Sequence, residues 1–209
     1  MSSFSLAIFD YDGTLADSFP WFCSVLNQTA RQFGFREVAD NEIEQMRALG
    51  TREIIASLGI PKWKMPAIAM HMRKLSAESR DAVALFPGVE PMLASLAARD
   101  ITIAIVSSNS EHTIRGTLGA AAAHVSHFQC GASLWGKSAK FKAVIKRLGA
   151  DKRRTIAIGD EVRDIEAARG AGIAAGAVTF GYNTAAALRA QGPDLAFDCY
   201  ADLVAKLTA

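Results

Sequence analysis

Residues 6–15 read LAIFDYDGTL, a short apolar run followed by two aspartates, a glycine and a threonine. A continuous apolar run of this length is typical of a parallel strand buried on both faces. Asp10 and Asp12 stand two positions apart, so in an extended chain both carboxylates face the same side. A divalent cation or a shared proton relieves their repulsion, and hard oxygen ligands of this kind suit Mg²⁺. Gly13 then permits a sharp turn.

Later parts of the chain repeat this apolar pattern. The runs are 101–106, which is followed by Ser107, 155–158, which is followed by Gly159 and Asp160, and the weaker 177–179. Helical patterns alternate with them at 89–98, 110–118, 139–148 and 162–171. This alternation predicts a doubly wound, Rossmann-like parallel sheet. Ligands of such sheets gather beyond the carboxyl ends of the strands, so we expect Asp10, Ser107 and Asp160 to converge there.

The segment 17–85 interrupts this rhythm. It contains helical patterns at 22–33, 52–58 and 67–75 but no convincing strand. The α/β pattern returns near Phe86-Pro87-Gly88, where proline and glycine mark a boundary. We therefore predict a core domain formed by residues 1–16 and 86–209, with an inserted α-helical cap domain at 17–85.

Composition excludes several classes of protein. The 209 residues are 50% hydrophobic and 21% charged, with a net charge of +2 and no dense basic run. This is a globular composition that gives no reason to expect a nucleic-acid or membrane-surface partner. The three cysteines are scattered without a CxxC pair, and we recognise neither a signal peptide nor a transmembrane run. The expectation is a soluble cytoplasmic protein.

At this point the sequence resembles the haloacid dehalogenase superfamily. Its first motif, DxDGT after a hydrophobic strand, is matched completely by residues 10–14. Ser107 ends the second core strand, a lysine precedes a later helix, and residues 159–164, GDEVRD, match the acidic fourth motif. The helical insert occupies the place of that superfamily's C1 cap. Phosphoglycolate-phosphatase-like members are the most similar in this pattern.

The resemblance implies a phosphatase that forms an aspartyl-phosphate. Asp10 would attack phosphorus, while Asp12 would protonate the leaving oxygen and later activate water. Mg²⁺ would be held by Asp10, the main-chain carbonyl of Asp12, and Asp160. Asp164 would contribute through a water or as a supporting residue.

The same resemblance implies which residues hold the phosphoryl group. Ser107 would donate a hydrogen bond to it, with Thr14 and Asn109 as further donors. Lys137 is the expected phosphate-binding lysine because it follows Gly136 ahead of a helix, and Lys140 is the second choice. The expected substrate is a small phosphorylated metabolite; the particular ester and the oligomeric state stay open.

Several alternative functions are compatible with parts of this sequence pattern. Asp12 argues against a dehalogenase, because members of that group lack an acid two residues after the nucleophile. A phosphomutase of the same fold keeps both aspartates, so the core does not separate it from a phosphatase. A catalytically silent phosphate-binding protein would be expected to have lost Asp10, Asp12 or Asp160, and all three are present.

Overall fold

The computed structural model describes residues 4–79, 82–131 and 136–209. Its strands are β1 Leu6–Phe9, β2 Thr102–Val106, β3 His127–Gln129, β4 Thr155–Gly159, β5 Ala174–Val178 and β6 Leu195–Phe197. They form one sheet in the order β3-β2-β1-β4-β5-β6, and every neighbouring pair is parallel. This order confirms the doubly wound fold predicted from the alternation of strands and helices.

The register of the central strands aligns their carboxyl ends. Phe9, the last residue of β1, pairs with Ile105 on β2 and with Ile158 on β4. Strand β1 is buried throughout because both of its neighbours and both faces of the sheet cover it. The residues that follow β1, β2 and β4 therefore emerge at the same edge of the sheet.

Sequence reasoning missed the two strands at the edges of the sheet. Strands β3 and β6 were not predicted, since each has only three residues, too few for a recognisable periodicity. Strand β5 begins at Ala174, three residues before the predicted run, because alanines and Gly176 carry little hydrophobic signal. Small residues are needed there: a side chain at Gly176 would lie 2.9 Å from the ring of Phe197 on β6.

The described residues between β1 and β2 begin with α1 Phe19–Phe33, α2 Ile43–Arg47, α3 Thr51–Ser57 and α4 Met65–Glu78. Pro20 occupies the first turn of α1, where its missing N–H costs nothing, so this helix starts three residues before the predicted 22–33. Helix α2 was not predicted, because five residues show too little periodicity. Short 3₁₀ helices lie at Asp40–Glu42 and Lys62–Lys64.

The two connections between this helical segment and the sheet run side by side. Ala16 and Leu85 form an antiparallel bridge, and the Phe86 amide donates to the Leu15 carbonyl at 2.9 Å. The segment therefore leaves and re-enters the sheet at one place. We refer to residues 17–85 as the cap, and its treatment as a separate domain stays a prediction.

Helices of the remaining described chain are α5 Val89–Ala97, α6 Glu111–Leu118, α7 Lys137–Leu148, α8 Val162–Ala171, α9 Ala185–Ala190 and α10 Tyr200–Thr208. Ala7 and Phe9 pack on one face of the sheet with α5 and α10, whereas Leu6 and Ile8 pack on the other with α7 and α8. Alternate residues of β1 thus enter two hydrophobic layers, as the geometry of a strand requires.

None of the helices in the described ranges is long and apolar enough to cross a membrane.

Candidate active site

Lys137 lies between two carboxylates at the carboxyl edge of the sheet. Its Nζ is 2.6 Å from Asp10 Oδ2 and 2.5 Å from Asp164 Oδ1. Burial lowers the pKa of Lys137, but the two carboxylates outweigh that effect and the net shift is upward. Lys140, the second candidate, lies about one turn further along α7, and burial lowers its pKa. The structure thus brings Lys137, at the start of α7, to Asp10.

Asp10 directly follows β1 and is nearly fully buried. Its Oδ1 accepts a hydrogen bond from the Tyr11 amide at 2.8 Å, and its Oδ2 faces Lys137. Burial raises the pKa of Asp10, and the Lys137 charge opposes that rise. Both oxygens are therefore fixed in direction, which is what a nucleophilic carboxylate requires.

Asp160 is completely buried beyond the end of β4. Its Oδ1 accepts from the Thr14 hydroxyl at 2.7 Å, and its Oδ2 accepts from the Tyr182 amide at 2.8 Å. This contact differs from the expected role of Thr14 as a phosphoryl donor. A hydroxyl has one proton to donate, and Thr14 gives it to Asp160. Thr14 therefore orients a carboxylate in this conformation.

Asp10, Asp160 and Asp164 form a buried acidic group. One carboxylate oxygen from each lies within 4.8 Å of the other two. Burial, followed by the neighbouring acids, raises the pKa of Asp160 well above its usual range. Asp164 behaves differently, because Lys137 and Arg163 together outweigh burial and lower its pKa. Three clustered hard oxygens with excess negative charge fit a divalent cation such as Mg²⁺.

Asp12 does not join this group through its side chain. Strand β1 ends at Phe9, the Asp10 amide still donates to the Ile158 carbonyl on β4, and Asp12 forms an isolated bridge with Ala16. Its Oδ2 accepts a 2.8 Å hydrogen bond from Asn109 Nδ2. Burial and the charge of Asp10 raise the pKa of Asp12 to about 7. This carboxyl is thus suited to both donating and accepting a proton near neutral pH.

Ser107 and Asn109 follow β2 and are both buried. The Ser107 Oγ accepts from the Asn109 amide at 3.1 Å, which leaves the serine O–H to donate elsewhere. The Asn109 side chain donates one of its two N–H groups to Asp12. Both residues therefore retain a donor beside Asp10 and Asp12.

Glycines allow these groups to approach the backbone. A side chain at Gly13 or Gly181 would overlap Asp160, and one at Gly159 would overlap Asp164. Gly13 also takes a φ of +69°, which L-residues rarely adopt. The turn after β1 is consequently restricted to glycine for two independent reasons.

Sequence reasoning assigned no role to Glu161 and Arg163, which lie between Asp160 and Asp164. The two side chains form an ion pair, and the Thr51 hydroxyl of the cap donates to Glu161 Oε1 at 3.4 Å. Within the described residues, the buried Arg163 Nε has no hydrogen-bond partner. The sequence feature that could have identified this ion pair is the opposite charge of two residues that stand two positions apart in the acidic motif.

Asn183 links the cap to the core and was also missed. Its Nδ2 donates to the main-chain oxygens of Arg47 at 2.7 Å and Leu49 at 2.9 Å. Its Oδ1 accepts from the Val162 amide at the start of α8. One buried amide thus ties the turn after α2 to the helix that carries Asp164. The signal in the sequence was a polar residue shortly after the fourth apolar run.

Arg47 makes a second link between the cap and the same turn. Its guanidinium donates to the carbonyls of Gly181 and Tyr182, each at 2.9 Å. The Tyr182 ring packs edge-on against Phe19 and Phe22 of α1. The cap therefore lies closed over the carboxyl edge of the sheet.

The cap and the carboxyl edge of the sheet border a partly open cavity of about 570 Å³. Asp12, Asn109 and Arg163 line it on the core side, and side chains of α1, α3 and α4 line it on the cap side. A compound in this cavity would contact Asp12 and Asn109.

Comparison with known proteins agrees with this architecture. The sequence model of the haloacid dehalogenase-like hydrolase family matches residues 7–178. A phosphoglycolate phosphatase of Synechococcus elongatus is 32% identical over 203 residues, which cover 96% of each chain. A phosphoglycolate phosphatase of Caulobacter vibrioides is 30% identical, over 93% of this chain and 87% of that one.

A solved structure supports the fold. A haloacid dehalogenase-like family hydrolase from Streptococcus pneumoniae superimposes with a TM-score of 0.79 at 20% identity, covering 98% of this chain and 99% of the other. The family match extends over most of the chain and includes β1, β2 and β4, which carry the acidic site. The chain therefore belongs to the haloacid dehalogenase-like hydrolase family.

Proposed function

We propose that this protein is a Mg²⁺-dependent phosphatase that hydrolyses a small phosphate monoester through an aspartyl-phosphate on Asp10. The observation that carries the proposal is the position of Lys137 Nζ, 2.6 Å from Asp10 and 2.5 Å from Asp164. It holds one carboxylate ready for attack beside a cluster of acids. The activity named for the two relatives above, hydrolysis of a phosphate ester, agrees with this chemistry.

Asp10, Asp160 and Asp164 are the proposed ligand side chains, and the main-chain carbonyl of Asp12 is a further proposed ligand. Their fit rests on the close approach of three buried carboxylates, for which Lys137 supplies one positive charge. Mg²⁺, when bound, would neutralise the acidic cluster and attract the negative charge of the phosphoryl group.

Asp10 acts as the nucleophile in the first step. One of its oxygens attacks phosphorus, so an O–P bond forms to the carboxylate while the O–P bond to the leaving alcohol breaks. Lys137 orients Asp10, and the free O–H of Ser107 donates to an oxygen of the transferring group. Asn109 has a second N–H for the same purpose.

Asp12 moves the proton in both steps. It first gives a proton to the leaving oxygen, which departs as an alcohol. As a carboxylate it then accepts a proton from water, whose oxygen attacks phosphorus and releases inorganic phosphate from Asp10. The pKa of about 7 and the hydrogen bond from Asn109 suit this exchange.

A small phosphorylated metabolite is the proposed substrate and the cytoplasm the proposed location. A cavity of about 570 Å³ beneath the cap favours an ester of low molecular weight over a phosphorylated macromolecule. Cys23, Cys130 and Cys199 are all free thiols in the structure, which is typical of a reducing compartment.

The test uses p-nitrophenyl phosphate, whose leaving group needs little protonation. We expect Mg²⁺-dependent release of nitrophenolate that EDTA and Asp10→Asn abolish. With Asp12→Asn, one burst of nitrophenolate should precede slow turnover, because phosphoryl transfer proceeds but water is not activated. Mass spectrometry of the quenched variant should locate phosphate on the peptide containing Asp10.

Asp198→Asn is the matched control, since it removes an exposed carboxylate far along the chain. This variant should turn over like the wild type. Undiminished turnover by Asp10→Asn, or phosphate found on another peptide, would overturn the proposal.

A further inference from the structure

The cavity under the cap is larger than a phosphoryl group needs. Its volume of about 570 Å³ falls within the roughly 300–1,000 Å³ of pockets that hold drug-sized ligands. It begins at Asp12 and Asn109 and extends away from them into the cap. The part of a substrate that lies beyond the leaving oxygen would occupy this extension.

Hydrocarbon forms most of the wall inside the cap. All four described cap helices contribute apolar side chains, among them Phe19, Leu26, Ile43, Met46, Ile54 and Met72. Such a wall favours an apolar occupant, because each buried methylene group contributes about 0.8 kcal/mol.

The described lining of the cavity contains four cationic side chains. Two of them form ion pairs with neighbouring glutamates, and the other two lie at the solvent-exposed rim. Arg47 donates to two carbonyls and pairs with Glu44, and Arg163 pairs with Glu161. Lys62 and Arg73 are exposed to solvent. A carboxylate buried in the cap would therefore lose its hydration and could pair only with the Nε of Arg163, whose charge Glu161 already balances, so its burial would be costly.

We infer that the substrate is a phosphate monoester whose alcohol part is bulky and mainly apolar, an aryl or medium-chain alkyl group. The inference rests on the proposed phosphatase activity and names the substrate class of that site. A site of this kind would disfavour phosphoglycolate, because its leaving alcohol, glycolate, is small and carries a carboxylate.

The first test compares kcat/KM for ethyl, butyl, hexyl and phenyl phosphate with that for phosphoglycolate. We expect kcat/KM to rise about fourfold per added methylene, the factor that corresponds to ~0.8 kcal/mol, until the cavity is filled. Phosphoglycolate should fall below ethyl phosphate. A flat alkyl series, or phosphoglycolate as the best substrate, would overturn the inference.

Binding separates this inference from the proposed activity. Calorimetry with the corresponding alkyl phosphonates and Mg²⁺ requires no turnover. Affinity that rises with chain length supports the cavity's role even if no ester is hydrolysed, in which case only the proposed phosphatase activity fails. Affinity independent of chain length argues against the apolar site whatever the turnover.

Two alanines of α4 offer a matched pair of variants. Ala69 lines the cavity, whereas Ala67 is exposed on the same helix. Ala69→Phe should fill part of the cavity and reduce the ratio of hexyl to ethyl phosphate hydrolysis at least tenfold. Ala67→Phe should leave that ratio unchanged. An unchanged ratio in a folded Ala69→Phe protein would contradict the proposed binding mode.

Discussion

Asn109 Nδ2 donates a 2.8 Å hydrogen bond to Oδ2 of Asp12, a residue 97 positions earlier in the chain. The bond joins the segment after β2 to the segment after β1. It fixes the direction of the proposed acid before any substrate binds. Asn109 therefore acts on the reaction partly through another residue.

Removal of the Asn109 side-chain amide should lower kcat/KM most for esters that have poor leaving groups. We expect Asn109→Ala to lower kcat/KM for an alkyl phosphate roughly 10–100-fold, the usual effect of losing such a supporting contact. The loss for p-nitrophenyl phosphate should be smaller, because nitrophenolate leaves with little protonation. Steady-state kinetics with both esters measures the difference. Equal losses would mean that Asn109 does not serve the acid.

Lys137 and Lys140 provide a matched comparison on one helix. Lys137→Ala leaves Asp10 and Asp164 buried without their shared cation, which we expect to cost roughly 3–5 kcal/mol of stability in EDTA. Mg²⁺ should restore part of this loss, and kcat/KM should fall by about 100-fold or more. Lys140→Ala should resemble the wild type in both respects.

Urea unfolding with and without Mg²⁺ measures the first effect, and steady-state kinetics measures the second. Loss of activity in Lys140→Ala together with normal activity in Lys137→Ala would reverse the assignment of the two lysines.

The glycine turns should tolerate no side chain. Gly181→Ala places a methyl group into Asp160, so we expect loss of the thermal stabilisation that Mg²⁺ gives the wild-type protein. Gly116→Ala is the control, because this residue lies within α6 and a methyl group there meets open space. The control should gain roughly 0.5–1 kcal/mol from helix propensity. Thermal unfolding with a Mg²⁺ titration compares the two, and normal Mg²⁺ stabilisation in Gly181→Ala would contradict the prediction.

The closed cap should depend on Asn183. Asn183→Ala removes two hydrogen bonds to the main chain at Arg47 and Leu49, so we expect faster proteolysis within the cap and a raised KM. Thr184→Ala removes the N-cap of α9 instead and should cost about 1 kcal/mol without exposing the cap. Limited proteolysis followed by mass spectrometry distinguishes the variants. If the two variants were cleaved within the cap at equal rates, Asn183 would not be what holds the cap closed.

The strands that could be predicted from the sequence are those that have apolar surroundings on both faces. Strands β1 and β4 are buried on both faces, so their apolar runs are continuous and easily recognised. Asp10 and Asp160 follow such strands directly, and the parallel sheet brings their ends together. For these two aspartates, the local sequence pattern was therefore enough to predict their position at the carboxyl edge of the sheet.

The parts that escaped prediction depend on distant contacts. Thr14 gives its proton to Asp160, 146 positions away, and nothing local in the sequence distinguishes this from a phosphoryl contact. Strand β5 consists of small residues because Phe197 packs on Gly176, which weakens its hydrophobic signal. Contacts of this kind become visible only once the sheet order is known.

The central place of β1 has a consequence for biosynthesis. Of the described strands of the sheet, β1 is synthesised before the others, yet its neighbour β4 begins at Thr155, and Asp160 and Asp164 follow still later. Pairing over such a separation requires closure of a long loop and is slow relative to local folding. A nascent chain that ends after α7 already carries Asp10, Ser107 and Lys137 but has no complete acidic cluster. The proposed enzyme would therefore remain silent during translation until β1, β2 and β4 have all been synthesised and paired.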